Sequence, residues 1–436
     1  GGSSRAAKRA HVPRAGLWLS TAEESTTCWP PTSPFGTPRP LVTDRDEGAR
    51  GAISPVALAR LRKSVRRHVV GGWLRAVFAR PQGAEPQQDD TVELPGPAGT
   101  PSPAEIDALV ARAEAAARQG LVKQTYVVDA RTRVRIDARH GKAKVQELDA
   151  STLTKMMGGK DRPLRPDASA DLLRVIGIMN ADGSISSQHA KKYKQVNHFV
   201  EICRPIWDTV DARRDPDSPL RVLDLACGNG YLTFVMAEAL RLRGTAARIH
   251  GVDVREDVVT RCIERAEALG WPHVTFTRAR IEAVDPKAVL DGPPDLVVAL
   301  HACDTATDDA LALAIHTGAG AILAAPCCQH ELARQLPDQT DCLPPPMLQQ
   351  GLLRRDHAAL LTDALRVQML EACGYTVDLL EFVHGSHTPK NLLIRARRRH
   401  SGALDRGSWD FTAVREQCER LGVRPTLLER LGPSIR

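Results

Sequence analysis

Aromatic residues are scarce in this 436-residue chain, at 4% of the total, which leaves few rings for stacking on exposed bases. Ten cysteines are present but none forms a C-x-x-C pair. That pattern fits reduced thiols in a cytoplasmic protein better than a disulfide framework. No apolar run approaches the roughly 20 residues that cross a bilayer, so no membrane partner is expected. Carboxylates are missing from two stretches, residues 1–22 and 50–80. The first carries Arg5, Lys8, Arg9 and Arg14, a composition also found in organelle-targeting segments. Overall the chain has a formal net charge of +7 and a pI near 8.9, a balance that favours a polyanionic partner such as RNA.

What is present centres on Arg221–Thr233, RVLDLACGNGYLT. A short apolar run (Val222, Leu223, Leu225) ends in a glycine-rich turn with Gly228 and Gly230, and an amphipathic segment follows. That order reads as strand, tight loop, helix. Glycines allow close approach to a ligand, and the free amides of a helix start favour a carboxylate or phosphate. A dinucleotide site needs G-x-G-x-x-G, but the third glycine position counted from Gly228 is Thr233. An acid, Asp224, closes the first strand, and another, Asp253, closes the next one (RIHGVDV).

D-x-A-x-G-x-G followed by an acid at the second strand end resembles motifs I and II of the class I S-adenosylmethionine-dependent methyltransferases. The resemblance implies S-adenosyl-L-methionine as cofactor. It places Asp224, Ala226, Cys227, Gly228, Asn229 and Gly230 around the methionine part, and Asp253 on the ribose hydroxyls. Val254, Ile281 and His301 complete the implied cofactor set. One departure stands out: where the family often has an acidic adenine contact, this chain reads Arg278-Ala279-Arg280-Ile281.

The expected fold is therefore α/β, a Rossmann-like class I methyltransferase sheet, mostly parallel with an antiparallel edge strand, preceded by an accessory α+β region. Strands are expected at 220–225, 248–253, 273–278, 295–301 and 319–326, with a hairpin from 376–383 and 391–396. Residues 1–50, rich in proline, serine and threonine, read as a disordered extension. The accessory region spans 51–185, the catalytic domain 186–400, and a helical extension 401–436. Within the accessory region a helical pattern runs from Ser54-Pro55 through Val56, Leu58, Leu61, Val65, Val69, Trp73 and Val77. Its outer face carries Arg60, Lys63, Arg66 and Arg67, which serve either as a solvated face or as a grip on phosphates. Residues 81–103 read as a Pro/Gly-rich linker, and Ser102 with Glu105 as a capping box. Alternating apolar and basic residues over Tyr126–Val145 suggest two or three strands with a basic face. Asp167 reads as the cap of a short helix containing Leu172, Leu173 and Ile176.

The segment His189–Trp207 shows an apolar stripe at helical spacing. In class I methyltransferases the helix at this place covers the cofactor, and Lys192, Gln195, Val196 and Phe199 match a K-x-x-Q-(V/I)-x-x-F pattern of a bacterial group. Lys194 and Gln195 are the substrate contacts expected here, unless they merely solvate a packing helix.

Reaction chemistry is expected at the ends of strands four and five, His301-Ala302-Cys303-Asp304 and Pro326-Cys327-Cys328-Gln329-His330. The (D/N)-P-P-(Y/F/W) signature of adenine-N6 enzymes is absent. Leu300, His301, Cys303, Ala306, Thr307 and Asp308, then Cys327, Cys328 and His330, resemble the layout of the eukaryotic tRNA 2′-O-methyltransferase family that acts on the acceptor stem. Asp304 replaces the usual glycine. That resemblance implies RNA as substrate, with His301, Asp304 and His330 as the bases available to take a hydroxyl proton. A covalent route through Cys303 or Cys327 remains open, as in RNA cytosine-C5 enzymes. So does a zinc site from the same cysteines and histidines. Residues 337–355 read as a long substrate-binding loop. Cys327, Cys328, Lys390 and Asn391 are further substrate contacts to test, and Arg395–Arg399 (RARRR) is a phosphate candidate. Methylation of a protein or small molecule, or a cofactor-binding scaffold without activity, are the competing functions.

Overall fold

The structure, a computed structural model, describes residues 53–81, 91–326, 328–336, 342–381, 391–399 and 409–432. The expectations for residues 1–50, Cys327, Lys390 and residues 401–408 lie outside them. Ala52–Arg436 forms one compact unit, built on two sheets.

The first sheet belongs to the accessory region. Helix α1 (Pro55–Val69) starts with proline in its first turn, and the Ser54 hydroxyl accepts the Ala57 amide at 3.2 Å. It stops at Val69 because Gly71 and Gly72 follow, Gly72 with φ +112°. Trp73 and Val77, expected on the same helix, instead precede and occupy strand β1 (Arg75–Ala79). The supposed linker also contributes a strand, β2 (Thr91–Pro95), paired antiparallel to β1. Helix α2 (Pro103–Arg118) opens on the complete Ser102–Glu105 capping box. Strands β3 (Lys123–Val127), β4 (Thr132–Asp137) and β5 (Lys142–Glu147) finish an antiparallel sheet of order β2-β1-β3-β4-β5. One face packs Ala76, Phe78, Tyr126, Val134 and Ile136 against α1 and α2.

The other face is the basic one, and it is turned inward. Arg75 and Arg133 are buried, Arg75 pairs with Glu93 at 3.0 Å, and Arg135 reaches Asp182 at 3.4 Å. Helix α3 (Ala150–Met156) and helix α4 (Ala170–Val175) lie in the connector to the second sheet. Ser169 holds the cap position of α4, while Asp167, expected there, pairs with Arg165 at 3.1 Å.

Helix α5 (Ser187–Asp211) buries Tyr193, Val196, Phe199, Val200, Cys203, Ile206 and Trp207, the expected stripe. The second sheet then follows: β6 (Leu220–Leu225), α6 (Tyr231–Arg243), β7 (Ala247–Asp253), α7 (Glu256–Leu269), β8 (Val274–Arg278), a 3₁₀ turn (Ile281–Ala283), α8 (Pro286–Leu290), β9 (Leu296–Ala299), α9 (Thr305–Thr317) and β10 (Ala321–Ala324). The described residues between 331 and 372, read partly as a loop, hold three helices: α10 (Glu331–Gln335), α11 (Pro345–Gln349) and α12 (Gly351–Ala372). Strands β11 (Tyr375–Glu381) and β12 (Leu392–Arg398) precede α13 (Thr412–Leu421) and α14 (Thr426–Leu431).

Strand order is β11-β12-β10-β9-β6-β7-β8. The five central strands β6 to β10 pair in parallel, and β12 runs antiparallel between β10 and β11. The antiparallel strand thus sits one place in from the edge. Helices cover both faces over two apolar cores. Chain order reverses between β6 and β9, the point where an open α/β sheet leaves a crevice at its strand ends.

Candidate active site

The turn after β6 is shaped by three left-handed residues: Ala226 (φ 55°), Gly228 (φ 57°) and Gly230 (φ 67°). A Cβ on Gly230 would lie 2.8 Å from the Cys262 sulfur, so that position admits only glycine without displacement. Ala226 takes the same conformation with a side chain, at a cost of ~1–2 kcal/mol. The Asn229 side chain accepts the Tyr231 amide at 3.2 Å and opens α6.

Two buried carboxylates flank this turn. Asp224 accepts a hydrogen bond from Thr233, yet burial pushes its carboxyl up to about 7, helped by the nearby Asp253 charge. Asp253 accepts the Gly228 amide at 2.9 Å and the Arg255 amide at 3.0 Å. The two strand-end acids and the glycine turn therefore form one constellation, as the motif spacing predicts. Val254 follows with 56% of its surface exposed, an apolar side chain at the crevice beside an acid. Ile281 is buried in the core on that side.

Cys227 is buried behind the turn. Its hydrogen bond with Cys262 and its burial push the thiol well above its ordinary value, which removes it as a nucleophile. Arg265 donates to the Asn229 carbonyl at 2.6 Å, and the Lys192 ammonium lies 4.4 Å over the Tyr231 ring. Burial lowers both cations below their ordinary values. Lys192 is therefore the helix-α5 cation at this turn. Lys194 points to solvent beside Gly158, and Gln195 is half-buried.

His301 leaves β9 and lies against the turn, its ring carbons 3.5–3.6 Å from where a Gly228 Cβ would be. Burial holds its imidazole below the ordinary value against the pull of Asp253, so it is neutral at pH 7. Asp304 has another task. Its carboxylate accepts the amides of His330 (2.8 Å) and Glu331 (3.0 Å) and the Arg334 guanidinium (3.0 Å), and its own amide donates to the Cys328 carbonyl at 3.0 Å. Burial alone would raise its carboxyl, but these donors hold it below the usual range. A carboxylate so engaged is a weak base, so Asp304 reads as a brace between two loops rather than a proton acceptor. Its own backbone is strained, at φ 53°. His330 and Cys303 are exposed and Cys328 half-buried.

Behind these loops lies a network that no local motif announces. Arg366 on α12 is 1% exposed and grips Asp308 with two bonds of 2.9 and 2.7 Å. It also donates to Asp363 at 3.3 Å and to the Asp304 carbonyl at 3.0 Å. Asp363 in turn accepts the Gln329 amide at 2.8 Å. The loop after β9 and the loop after β10 are thus joined through one buried guanidinium. Asp308 and Gln329 belong to the sequence motif, whereas Arg366 and Asp363 have only the internal polarity of α12 as a signal.

Other candidates fare differently. Asn391 bonds Glu381 at 3.3 Å across the β11–β12 connection. In the RARRR run, Arg395 and Arg397 both pair with Asp378 at 3.0 Å, and Arg398 donates to the Gly318 carbonyl at 3.1 Å. That run is part of the sheet rather than a free phosphate grip. Among the described residues no group of three or more His, Cys, Asp and Glu is placed to hold a metal ion. Among the same residues no helix is long and apolar enough to cross a membrane.

Residues 191–335 match a family model described as a methyltransferase domain. The curated Glutathione S-transferase C-terminal domain-containing proteins of Homo sapiens and Macaca fascicularis are each 26% identical over 239 residues, covering 49% of this chain and 34% of theirs. The chain thus spans about a third of the length of the relatives it matches. Among solved structures, magnesium protoporphyrin IX methyltransferase from Synechocystis PCC 6803 with bound SAH aligns at 15% identity and a TM-score of 0.30, over 52% of this chain and 93% of that one. An rRNA methylase from Streptococcus thermophilus aligns at 15% identity and a TM-score of 0.29, over 48% and 97%.

Proposed function

We propose that the class I S-adenosylmethionine-dependent methyltransferase domain of this chain transfers a methyl group to RNA, at a ribose 2′-hydroxyl. The observation that carries this reading is the joining of two loops into one wall beside the glycine turn. These loops hold His301-x-Cys303 and Cys328-x-His330, and Asp304 and Arg366 tie them together. The two motif halves shared in layout with a tRNA 2′-O-methyltransferase family therefore act as one structural unit.

The residues at the turn suit S-adenosylmethionine. Asp253 can bind a pair of ribose hydroxyls, the left-handed backbone leaves room for close approach, and Val254 offers an apolar surface to the base. Lys192 and Arg265 place positive charge near the start of α6, suited to the cofactor's carboxylate. The bound cofactor supplies an electrophilic methyl on a positively charged sulfur. For their part the protein groups must orient the acceptor in line and take its proton. His301, neutral and against the turn, is the base best placed to do so, and His330 at the exposed rim is available to hold the RNA backbone. The basic balance of the chain agrees with a polyanionic acceptor.

The test is incubation of the full chain with methyl-labelled cofactor and with RNA and protein fractions from the source cell. Label should enter RNA and remain in alkali-resistant dinucleotides, the mark of a blocked 2′-hydroxyl. Label in protein alone, or in alkali-labile nucleotides alone, refutes the reading.

A further inference from the structure

The structure sorts the chain's basic residues into those that already have a carboxylate and those that do not. Arg62 and Arg66 of α1 pair with Glu114 and Asp107 of α2. The sheet cations Arg75 and Arg135 pair with Glu93 and Asp182. Arg395 and Arg397 share Asp378. What remains on α1 is Arg60, Lys63 and Arg67, all exposed and with no ion-pair partner among the described residues.

These three fall at i, i+3 and i+7, a single stripe nearly opposite the buried Leu58, Leu61, Val65 and Val69. The stripe spans about 10 Å of helix at 1.5 Å per residue. It flanks the β4–β5 turn: Ser64 donates to the Gly141 carbonyl at 2.8 Å, and the Arg60 Cβ lies 2.6 Å from where a Gly141 Cβ would be. That turn leads into Lys142 and Lys144, also exposed and without an ion-pair partner among the described residues. By the β4–β5 register, with Lys142 opposite Asp137 and Lys144 opposite Arg135, both lie on the sheet face away from α1, so the three cations of α1 form a surface of their own.

The aromatic residues of this region, Trp73, Phe78 and Tyr126, are all buried. No ring is offered for base stacking, so a nucleic acid here would be held by its phosphates and not read by sequence. We propose that this stripe, Arg60, Lys63 and Arg67, is a docking surface for the phosphate backbone of the RNA substrate, separate from the catalytic crevice. The proposal rests on the RNA reading above. It assigns the accessory region the work of holding the body of the RNA while a single nucleotide enters the crevice.

The experiment uses the full chain and bulk tRNA as probe, with affinity measured between 50 and 200 mM salt. The variant is the triple substitution Arg60→Gln, Lys63→Gln, Arg67→Gln. A charge-matched control is Lys155→Gln, Lys287→Gln, Arg420→Gln, at exposed positions elsewhere. The stripe variant should bind tRNA at least ~10-fold more weakly, with a salt slope shallower by about 2, while the control stays near wild type. Its affinity for S-adenosylhomocysteine and its melting temperature should match wild type. Wild-type binding of tRNA that the stripe variant shares in affinity and slope, or an equal loss in the control, overturns the docking surface and leaves the RNA reading standing. Failure of the wild-type chain to bind tRNA in a salt-dependent way sinks both.

Discussion

The turn after β6 and the paired loops after β9 and β10 lie at the same end of one sheet, yet they are built on opposite plans. At the turn the working groups are backbone amides and two carboxylates drawn from eight consecutive residues and the next strand end. Their geometry follows from three left-handed residues close together in the chain, Ala226, Gly228 and Gly230. At the loops, most of the conspicuous polar residues are occupied with one another: Asp304 with the loop amides, Asp308 with Arg366, Gln329 with Asp363. A cofactor site can be made of main chain. A reaction site needs side chains held in place, and the holding is done by residues far away in the chain.

The sharpest way to break this contrast is to remove the guanidinium. Arg366→Met leaves Asp308 and Asp363 buried without a counter-ion and should cost ~3–5 kcal/mol in urea unfolding. Arg366→Lys should recover only part of it, because an ammonium cannot replace the two-pronged contact. A loss below 1 kcal/mol would mean that the loops are held by something else.

Asp224 gives the turn its own signature. In the folded cofactor-free protein its carboxyl keeps its proton up to about 7, whereas in the unfolded chain it ionises near pH ~4. The folded state thus binds the extra proton between those values, so its stability falls as pH rises from about 4 to 7 and is level above. The drop is on the order of 2–4 kcal/mol, and Asp224→Asn should flatten it. Denaturant unfolding at several pH values measures this; an unchanged slope in the variant would contradict it.

Asp304→Ala separates the two regions functionally. It should leave S-adenosylhomocysteine affinity within about twofold while lowering stability by ~1–2 kcal/mol and reducing turnover on RNA through kcat. Equal loss of cofactor affinity would erase the distinction. Smallest of all is the control in the accessory region, Ser102→Ala, where loss of the capping box should cost ~1 kcal/mol in thermal unfolding and leave cofactor binding untouched.

What could be read from the chain follows the same division. Strand–turn–helix order, both strand-end acids and the capping box are local patterns, and the structure has them where the residues indicate. Patterns fail where a break or a partner is remote. The apolar spacing through Trp73 and Val77 runs past Gly71-Gly72, which end the helix and start a strand. Strand β2 hid among prolines and glycines because its pairing with β1 is tertiary. The basic strand face and the RARRR run looked free because Asp182, Glu93 and Asp378 lie in other segments. Arg366 was invisible for the same reason, sitting 58 residues from Asp308.

Calorimetric titration of S-adenosylhomocysteine into the wild-type chain and Asp253→Ala tests the central claim most directly. Saturable one-site binding by the wild type, weakened ~100-fold or about 3 kcal/mol in a variant that still folds, is the predicted result. Equal affinity in the two proteins, or no heat with either, would contradict it.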